Sequence, residues 1–177
     1  ETIKAILDDP QFIYIKGNHD DMLTTAALSY WGIEWDSSMI YYDLMNNGGK
    51  QTWADMLNDP NNEEYIMKLN SCPIQKTYYS KDKTISLSHA GYTPGRAARD
   101  LLWDRKHIYD IVGDNVPDEI LVVHGHTPVY YMHGAKTLED CQKWIRPEFY
   151  GNDHKINIDM GTYNTHACCL LNLDTLE

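Results

Sequence analysis

Residues 120–128 read ILVVHGHTP, an apolar run that ends in two histidines separated by a glycine. Four consecutive aliphatic residues followed by polar ones predict a buried strand over Ile120–Val123. Strands buried on both faces are typical of the centre of an α/β sheet, and such sheets bind ligands beyond the carboxyl ends of their strands. The sequence therefore predicts that residues 124–128 lie at a binding site.

Two other predicted strands end in the same way. The apolar run 12–15 leads into GNHD at residues 17–20, and the run 85–87 leads into SHAG at residues 88–91. Small residues beside each histidine allow the backbone to approach an ion or a phosphate closely. We therefore expect the three histidine-bearing strand ends to mark one functional crevice.

Alternating helical and strand-like patterns over the rest of the chain predict an α/β fold. Helical spacing predicts a first helix that ends near Asp9-Pro10 and further helices over 22–31, 52–57 and 63–69. Strand patterns predict a hairpin of 76–80 and 84–88, and strands over 156–158 and 167–173. Residues 133–155 show no clear period and predict a long surface loop or lid.

Composition limits the classes of function. The chain has 177 residues, 42% of them apolar, which predicts a single domain over 1–177 with a substantial core. A net charge of −11 argues against nucleic acid or an anionic membrane as a partner. No apolar run approaches the roughly 18 residues of a membrane span, and the cysteines follow neither a metal-binding nor a disulfide pattern. We expect a soluble, cytoplasmic protein with reduced, mostly buried thiols.

Five motifs in order resemble one enzyme family. GNHD, SHAG and HGHTP look like the later motifs of the calcineurin-like metallophosphoesterases. LLWDR at residues 101–105 narrows the resemblance to bacterial serine/threonine protein phosphatases and the symmetrical diadenosine tetraphosphate hydrolases, and NIDMG at 157–161 resembles their closing NIDTG. The resemblance implies a sandwich of two mixed β-sheets flanked by helices.

The resemblance also implies roles for individual residues. Asn18, His89 and His126 correspond to ligands of one divalent metal ion, and His19 to the catalytic histidine that protonates the leaving oxygen. Arg105 corresponds to the arginine that binds the phosphate oxygens. Two metal ions are implied for the intact protein; the ligand types favour manganese, with iron or zinc as alternatives.

Several neighbouring residues leave alternatives open. His124 is a structural residue or supports a ligand, since the resemblance assigns the ligand role to the histidine after the glycine. Asp20 either orients an arginine or caps the helix that begins at Asp21 or Met22. Arg96 is a second candidate for the phosphate, and Cys168 and Cys169 more often pack as small hydrophobic residues than bind a metal.

The first two motifs of the family are not found in this sequence. The GDxHG and GDxxDRG motifs of the family precede GNHD, and neither fits before residue 17. These motifs bring the ligands of the second metal, the bridging carboxylate and another phosphate-binding arginine. We therefore expect this chain to be an N-terminally truncated phosphoesterase domain without its first strands.

Three functions follow from these expectations. The first is a metal-dependent phosphatase that hydrolyses phosphoserine, phosphothreonine or small phosphate monoesters by a metal-activated hydroxide. The second is a diadenosine polyphosphate hydrolase with the same fold. The third is a truncated or degenerate domain without activity, which binds a partner through the helices of residues 32–75.

Overall fold

The computed structural model describes residues 2–33, 38–91, 97, 100–105, 108 and 117–177. The chain divides into two compact units. We call Glu1–Pro73 the helical unit and Ile74–Glu177 the sheet unit. Helices and strands are numbered in chain order in the paragraphs that follow.

The described part of the helical unit consists of helices joined by turns. These helices are α1 (Thr2–Asp8), α2 (Asn18–Tyr30), α3 (Ser38–Asn46), α4 (Lys50–Leu57) and α5 (Asn62–Ser71). Helix α2 buries Met22, Leu23, Ala26 and Ala27, which recur at helical spacing on one face. The sequence pattern predicts α1, α2, α4 and α5, and it does not predict α3.

A polar cluster joins α1 to α5. The carboxylate of Asp8 accepts hydrogen bonds from Lys68 Nζ and from the hydroxyl of Tyr65, each at 2.8 Å. These hydrogen bonds, that of Lys68 first, hold the pKa of Asp8 below its ordinary value. Because the pKa of Asp8 is lower in the folded state, the contact stabilises the fold at pH values above the ordinary aspartate pKa. This stabilisation is lost as the pH falls through the lowered pKa.

Asp8→Asn should therefore loosen α1 at pH 7, and its effect should shrink as the pH falls and the wild-type carboxylate is protonated as well. The expected result at pH 7 is faster amide hydrogen exchange in α1 and unchanged exchange in α2. Asp43→Asn on α3, at an exposed position, is the matched control. An effect of Asp8→Asn that stays constant as the pH falls would contradict the assignment.

The apolar run before GNHD is not a strand. Residues 12–16 have no regular secondary structure, and the side chains of Phe12 and Ile13 are 59% and 63% exposed. Just after the run, the amide of Lys16 donates to the carbonyl of Pro73 at 2.8 Å. An apolar run becomes a strand only where a neighbour supplies a ladder of hydrogen bonds, and no described strand pairs with this run. The predicted buried strand over 12–15 is therefore wrong.

The sheet unit contains one mixed sheet among its described residues. Its strands are β1 (Gln75–Tyr79), β2 (Thr84–Ser88), β3 (Ile120–His124), β4 (Glu148–Tyr150) and β5 (Lys155–Asn157), in the spatial order β1-β2-β3-β5-β4. The pairs β1/β2 and β4/β5 are antiparallel, and β2/β3 and β3/β5 are parallel. The α/β class, the hairpin and the central position of β3 are thus confirmed.

One face of this sheet carries the core of the unit. Ile85, Leu121, Val123 and Ile156 are buried together, at alternating positions of β2, β3 and β5. The helices of this unit are short: α6 (Asp100–Trp103), α7 (Val129–Met132), α8 (Leu138–Gln142) and α9 (Thr162–Thr165).

Two predictions for the sheet unit need correction. Residues 167–173 form no strand, although Leu171 and Leu173 pack against the core and so produce the alternation that predicted one. Residues 133–155 are more than a loop, because they contain α8 and β4. The pattern over residues 167–173 is thus correct about burial and wrong about backbone pairing.

Two further properties bear on the class of protein. Among the described helices, none combines the length and the apolar character that crossing a bilayer requires. All four cysteines are free thiols, but only Cys141 is buried, and Cys168 is exposed. The prediction of mostly buried thiols is therefore wrong.

Candidate functional site

Parallel pairing brings three strand ends to one edge of the sheet. His89 follows β2, the pair Gly125-His126 follows β3, and Asp159 follows β5. Backbone hydrogen bonds continue past the strands, from the amide of Gly125 to the carbonyl of His89 at 2.8 Å and from Ile158 to His124 at 2.9 Å. The strand ends are therefore held in register up to the residues that carry the side chains of interest.

His89, His126 and Arg105 form a compact group, which we call the histidine cluster. His89 Nε2 lies 3.1 Å from His126 Nδ1, and the ring centroids are 4.9 Å apart. Arg105 Nε donates to His126 Nε2 at 3.2 Å, and the ring of Trp103 stands edge-on to His126 at 6.2 Å. The structure thus brings together three of the five residues that the sequence nominates.

His126 has an unusual backbone conformation. Its φ is +68°, and the amide of Thr127 donates to the carbonyl of Gly125 at 2.8 Å, which closes a three-residue turn around it. Positive φ is uncommon for a residue other than glycine, and strained turns of this kind concentrate at functional sites. In this conformation His126 Nδ1 lies 3.1 Å from His89 Nε2.

Asn157 fixes this turn from the neighbouring strand. Its side chain is fully buried, its Nδ2 donates to the carbonyl of Thr127 at 2.8 Å, and its Oδ1 accepts from the amide of Asp159 at 2.9 Å. The amide of Val129 in turn donates to the carbonyl of Asp159 at 2.9 Å. One buried amide side chain therefore ties the loop after β3 to the loop after β5.

His124 lies inside the unit and contacts the same loop. It is 1% exposed, its Nδ1 is 3.0 Å from the carbonyl of Gly125, and its Nε2 is 2.5 Å from the hydroxyl of Tyr150. A carbonyl only accepts hydrogen bonds, so Nδ1 carries the proton and Nε2 accepts from Tyr150 in the neutral ring. These contacts agree with a structural or supporting role.

Asp159 is a candidate that the sequence reasoning did not single out. Burial raises the pKa of its carboxyl, while the hydrogen bond from the Gly161 amide at 2.8 Å and the charge of Arg105 act in the opposite direction. A carboxylate that interacts electrostatically with Arg105 can help to orient the guanidinium. The position of Asp159 just after β5 could have nominated it as a site residue. That position is informative only with the knowledge that β5 runs parallel to β3.

The other nominated residues belong to the helical unit. Helix α2 begins at Asn18, so that Asn18 and His19 form its first turn and the predicted start at Asp21 or Met22 is wrong. Asn18 is buried and His19 is exposed. Asp20 Oδ2 accepts from the Gly17 amide at 2.8 Å and from the hydroxyl of Tyr14 at 3.0 Å.

Of the two alternatives for Asp20, the contacts support capping. Its carboxylate closes the amino end of α2 through the Gly17 amide, one of the amides that helical hydrogen bonds leave unpaired. Burial is the main cause that raises the pKa of Asp20 above its ordinary value. The second phosphate candidate, Arg96, lies outside the described residues.

The donor chemistry of the histidine cluster fits part of a metal site. Two nitrogens bound to one ion at about 2.1 Å, with an angle of about 90–110° between them, lie about 3.0–3.4 Å apart. The observed 3.1 Å between His89 Nε2 and His126 Nδ1 falls within that range. Among the described residues, however, no group of three or more His, Cys, Asp or Glu side chains is placed to hold an ion. The pair by itself would therefore supply only part of a ligand set.

No known protein-family model matches the chain, and no curated protein matches it significantly. A functional assignment therefore depends on the geometry of the strand ends and on the motif resemblance.

Asn157→Ala should destabilise the sheet unit by about 2–4 kcal/mol, because it leaves a buried carbonyl and a buried amide without their partner. Chemical denaturation measures this change in the free energy of unfolding. Asn164→Ala is the matched control: this half-buried amide donates one hydrogen bond, to the hydroxyl of Tyr130 at 2.8 Å, and its loss should cost about 1 kcal/mol. Equal costs for the two variants would show that Asn157 does not hold the loop.

Proposed function

We propose that the chain is part of a metal-dependent phosphoesterase that hydrolyses phosphate monoesters, of the serine/threonine protein phosphatase type. One observation carries the proposal. His89 and His126 meet at 3.1 Å at the carboxyl edge of a parallel set of strands, with the guanidinium of Arg105 in contact with one of them. Imidazole pairs beside an arginine suit a substrate that presents anionic oxygens to a metal.

In this proposal each side chain has a chemical task. His89 and His126 bind a divalent ion, manganese in the first instance and iron or zinc as alternatives, through the nitrogens that face each other. When bound, such an ion activates water and stabilises charge on the phosphate. On the sequence resemblance alone, Asn18 adds an amide oxygen to the ligands and His19 protonates the leaving oxygen.

Arg105 supplies a local positive charge at the strand ends of a chain whose net charge is negative. The net charge is −11, so an anionic substrate needs a local cation to approach. Arg105 is exposed, and its planar group of donors can bind two phosphate oxygens at once. The nearby carboxylate of Asp159 can hold the guanidinium in place between substrates.

The finer fold assignment belongs to the same proposal. The mixed sheet is compatible with one of the two sheets of a metallophosphoesterase sandwich. A cytoplasmic location and phosphorylated proteins or small phosphate esters as substrates complete the proposal. Its support is the motif order together with the contacts of the histidine cluster.

The proposal is tested by phosphate release from p-nitrophenyl phosphate with added Mn²⁺. The 177-residue chain is compared with any longer form that its gene encodes. We expect Mn²⁺-dependent turnover in the form that carries the GDxHG and GDxxDRG motifs. Diadenosine tetraphosphate as a second substrate separates the two enzymatic alternatives, since its hydrolysis yields nucleoside diphosphates. No turnover of either substrate, with unchanged Mn²⁺ binding after loss of His89, would contradict the proposal.

Variants of the active form should distinguish the proposed metal ligands from the residue that donates the proton. His19→Ala should lower kcat by about 10²–10⁴-fold and leave the metal content unchanged, because an acid is lost and a ligand is not. His89→Ala and His126→Ala should each weaken metal binding by at least about tenfold and reduce activity with it.

The matched control for these variants is His166→Asn. His166 is exposed and has φ +56°, a conformation that asparagine tolerates. It should change neither the metal content nor kcat. Metal content is measured by elemental analysis after gel filtration, and loss of metal from His19→Ala would refute the role of His19 as an acid.

A further inference from the structure

The helical unit contains a cavity of about 440 Å³ that the site residues of the sheet unit do not line. Residues from all five helices α1 to α5 and the Gly48-Gly49 turn surround it. Its volume lies within the roughly 300–1,000 Å³ that is usual for sites of small molecules. The cavity is therefore large enough for a compact organic group.

The cavity has an apolar floor. Five buried side chains form it: Leu23, Leu44, Met56, Ile66 and Leu69. Burial of hydrocarbon against apolar walls is favourable by a free energy of about 25 cal/mol per Å² of surface removed from water. An occupant must therefore present an apolar body to these residues.

The charged groups around the cavity are mainly acidic. Asp20, Asp55 and Asp59 line it against a single lysine, Lys4. Lys4 forms an ion pair with Asp59, and Asp55 accepts a hydrogen bond from the neutral amide of Gln51 at 2.7 Å. The negative charge of Asp55 thus has no cationic partner among these contacts. Anionic groups are disfavoured in the cavity, and uncharged or cationic groups are favoured.

His19 lies on the wall of this cavity, next to Asp20 in the first turn of α2. We propose that the cavity binds a small organic molecule with an apolar body and an uncharged or cationic end, such as an amine or an alcohol. This site belongs to the helical unit alone and does not depend on the proposed phosphoesterase reaction.

Binding of phosphate-free probes to the 177-residue chain tests the cavity directly. The probes are 2-phenylethylamine, 2-phenylethanol and phenylacetate, which share an apolar body and differ in charge. Amide chemical shifts during titration report both the affinity and the residues in contact. We expect shifts in α2, α4 and α5, and binding of the amine and the alcohol at least tenfold tighter than that of the acid.

Two pairs of variants locate the effect. Thr52→Phe adds a ring to the cavity wall from an exposed position of α4, and Ala54→Phe adds the same ring to a position of α4 that does not line the cavity. Thr52→Phe should weaken binding of the amine at least tenfold, and Ala54→Phe should leave it unchanged. Asp55→Asn should reduce the preference for the amine over the acid several-fold, while Asp43→Asn on α3 should not. Thermal melts by circular dichroism confirm that each variant is folded.

The outcomes distinguish this inference from the proposed function. The probes contain no phosphate, and their binding requires neither a metal nor turnover. Binding of the acid as tight as that of the amine, shifts outside the cavity, or full binding by Thr52→Phe would overturn the inference and leave the phosphoesterase proposal intact. Selective binding at the cavity in a protein without phosphatase activity would retain the cavity as an amine and alcohol site while the proposed reaction fails.

Discussion

The parallel pairing of β2, β3 and β5 is the constraint on which the candidate site depends. Leu87 lies opposite Val123, and His124 lies opposite Asn157, so the three strands end at nearly the same level. Whatever residues follow these strands must meet at one edge of the sheet. Here they are His89, the turn at His126 and Asp159, and Asn157 keeps the last two in register through its buried amide.

Short, strongly apolar segments were predictable from the sequence because their burial shows in their composition. Ile120–Val123 needs partners on both sides and has them in β2 and β5. The hairpin of β1 and β2 was predictable because its turn, Lys81-Asp82-Lys83, is polar between two alternating runs. His89 and His126 could be nominated because each follows such a segment, and their ring nitrogens lie 3.1 Å apart.

Features that depend on distant partners could not be read from local patterns. Residues 12–15 and 167–173 have the composition of strands, but no described strand supplies either with a hydrogen-bonded neighbour. Asp159 looked like any aspartate after a short strand until the direction of β5 was known. The left-handed conformation of His126 was also hidden, because such strain is stabilised by contacts from Asn157 and other residues far away in the chain.

The most direct test of the central claim, that the strand ends bring His89 and His126 together as ligands of one ion, is a titration with Zn²⁺. Nitrogen chemical shifts of the histidine rings report which atoms bind, and Zn²⁺ leaves the spectra sharp because it is diamagnetic. The account predicts that His89 Nε2 and His126 Nδ1 shift together at one saturation point, before the exposed ring of His166 responds. Shifts confined to His166 and other peripheral rings, with His89 and His126 unaffected, would contradict it.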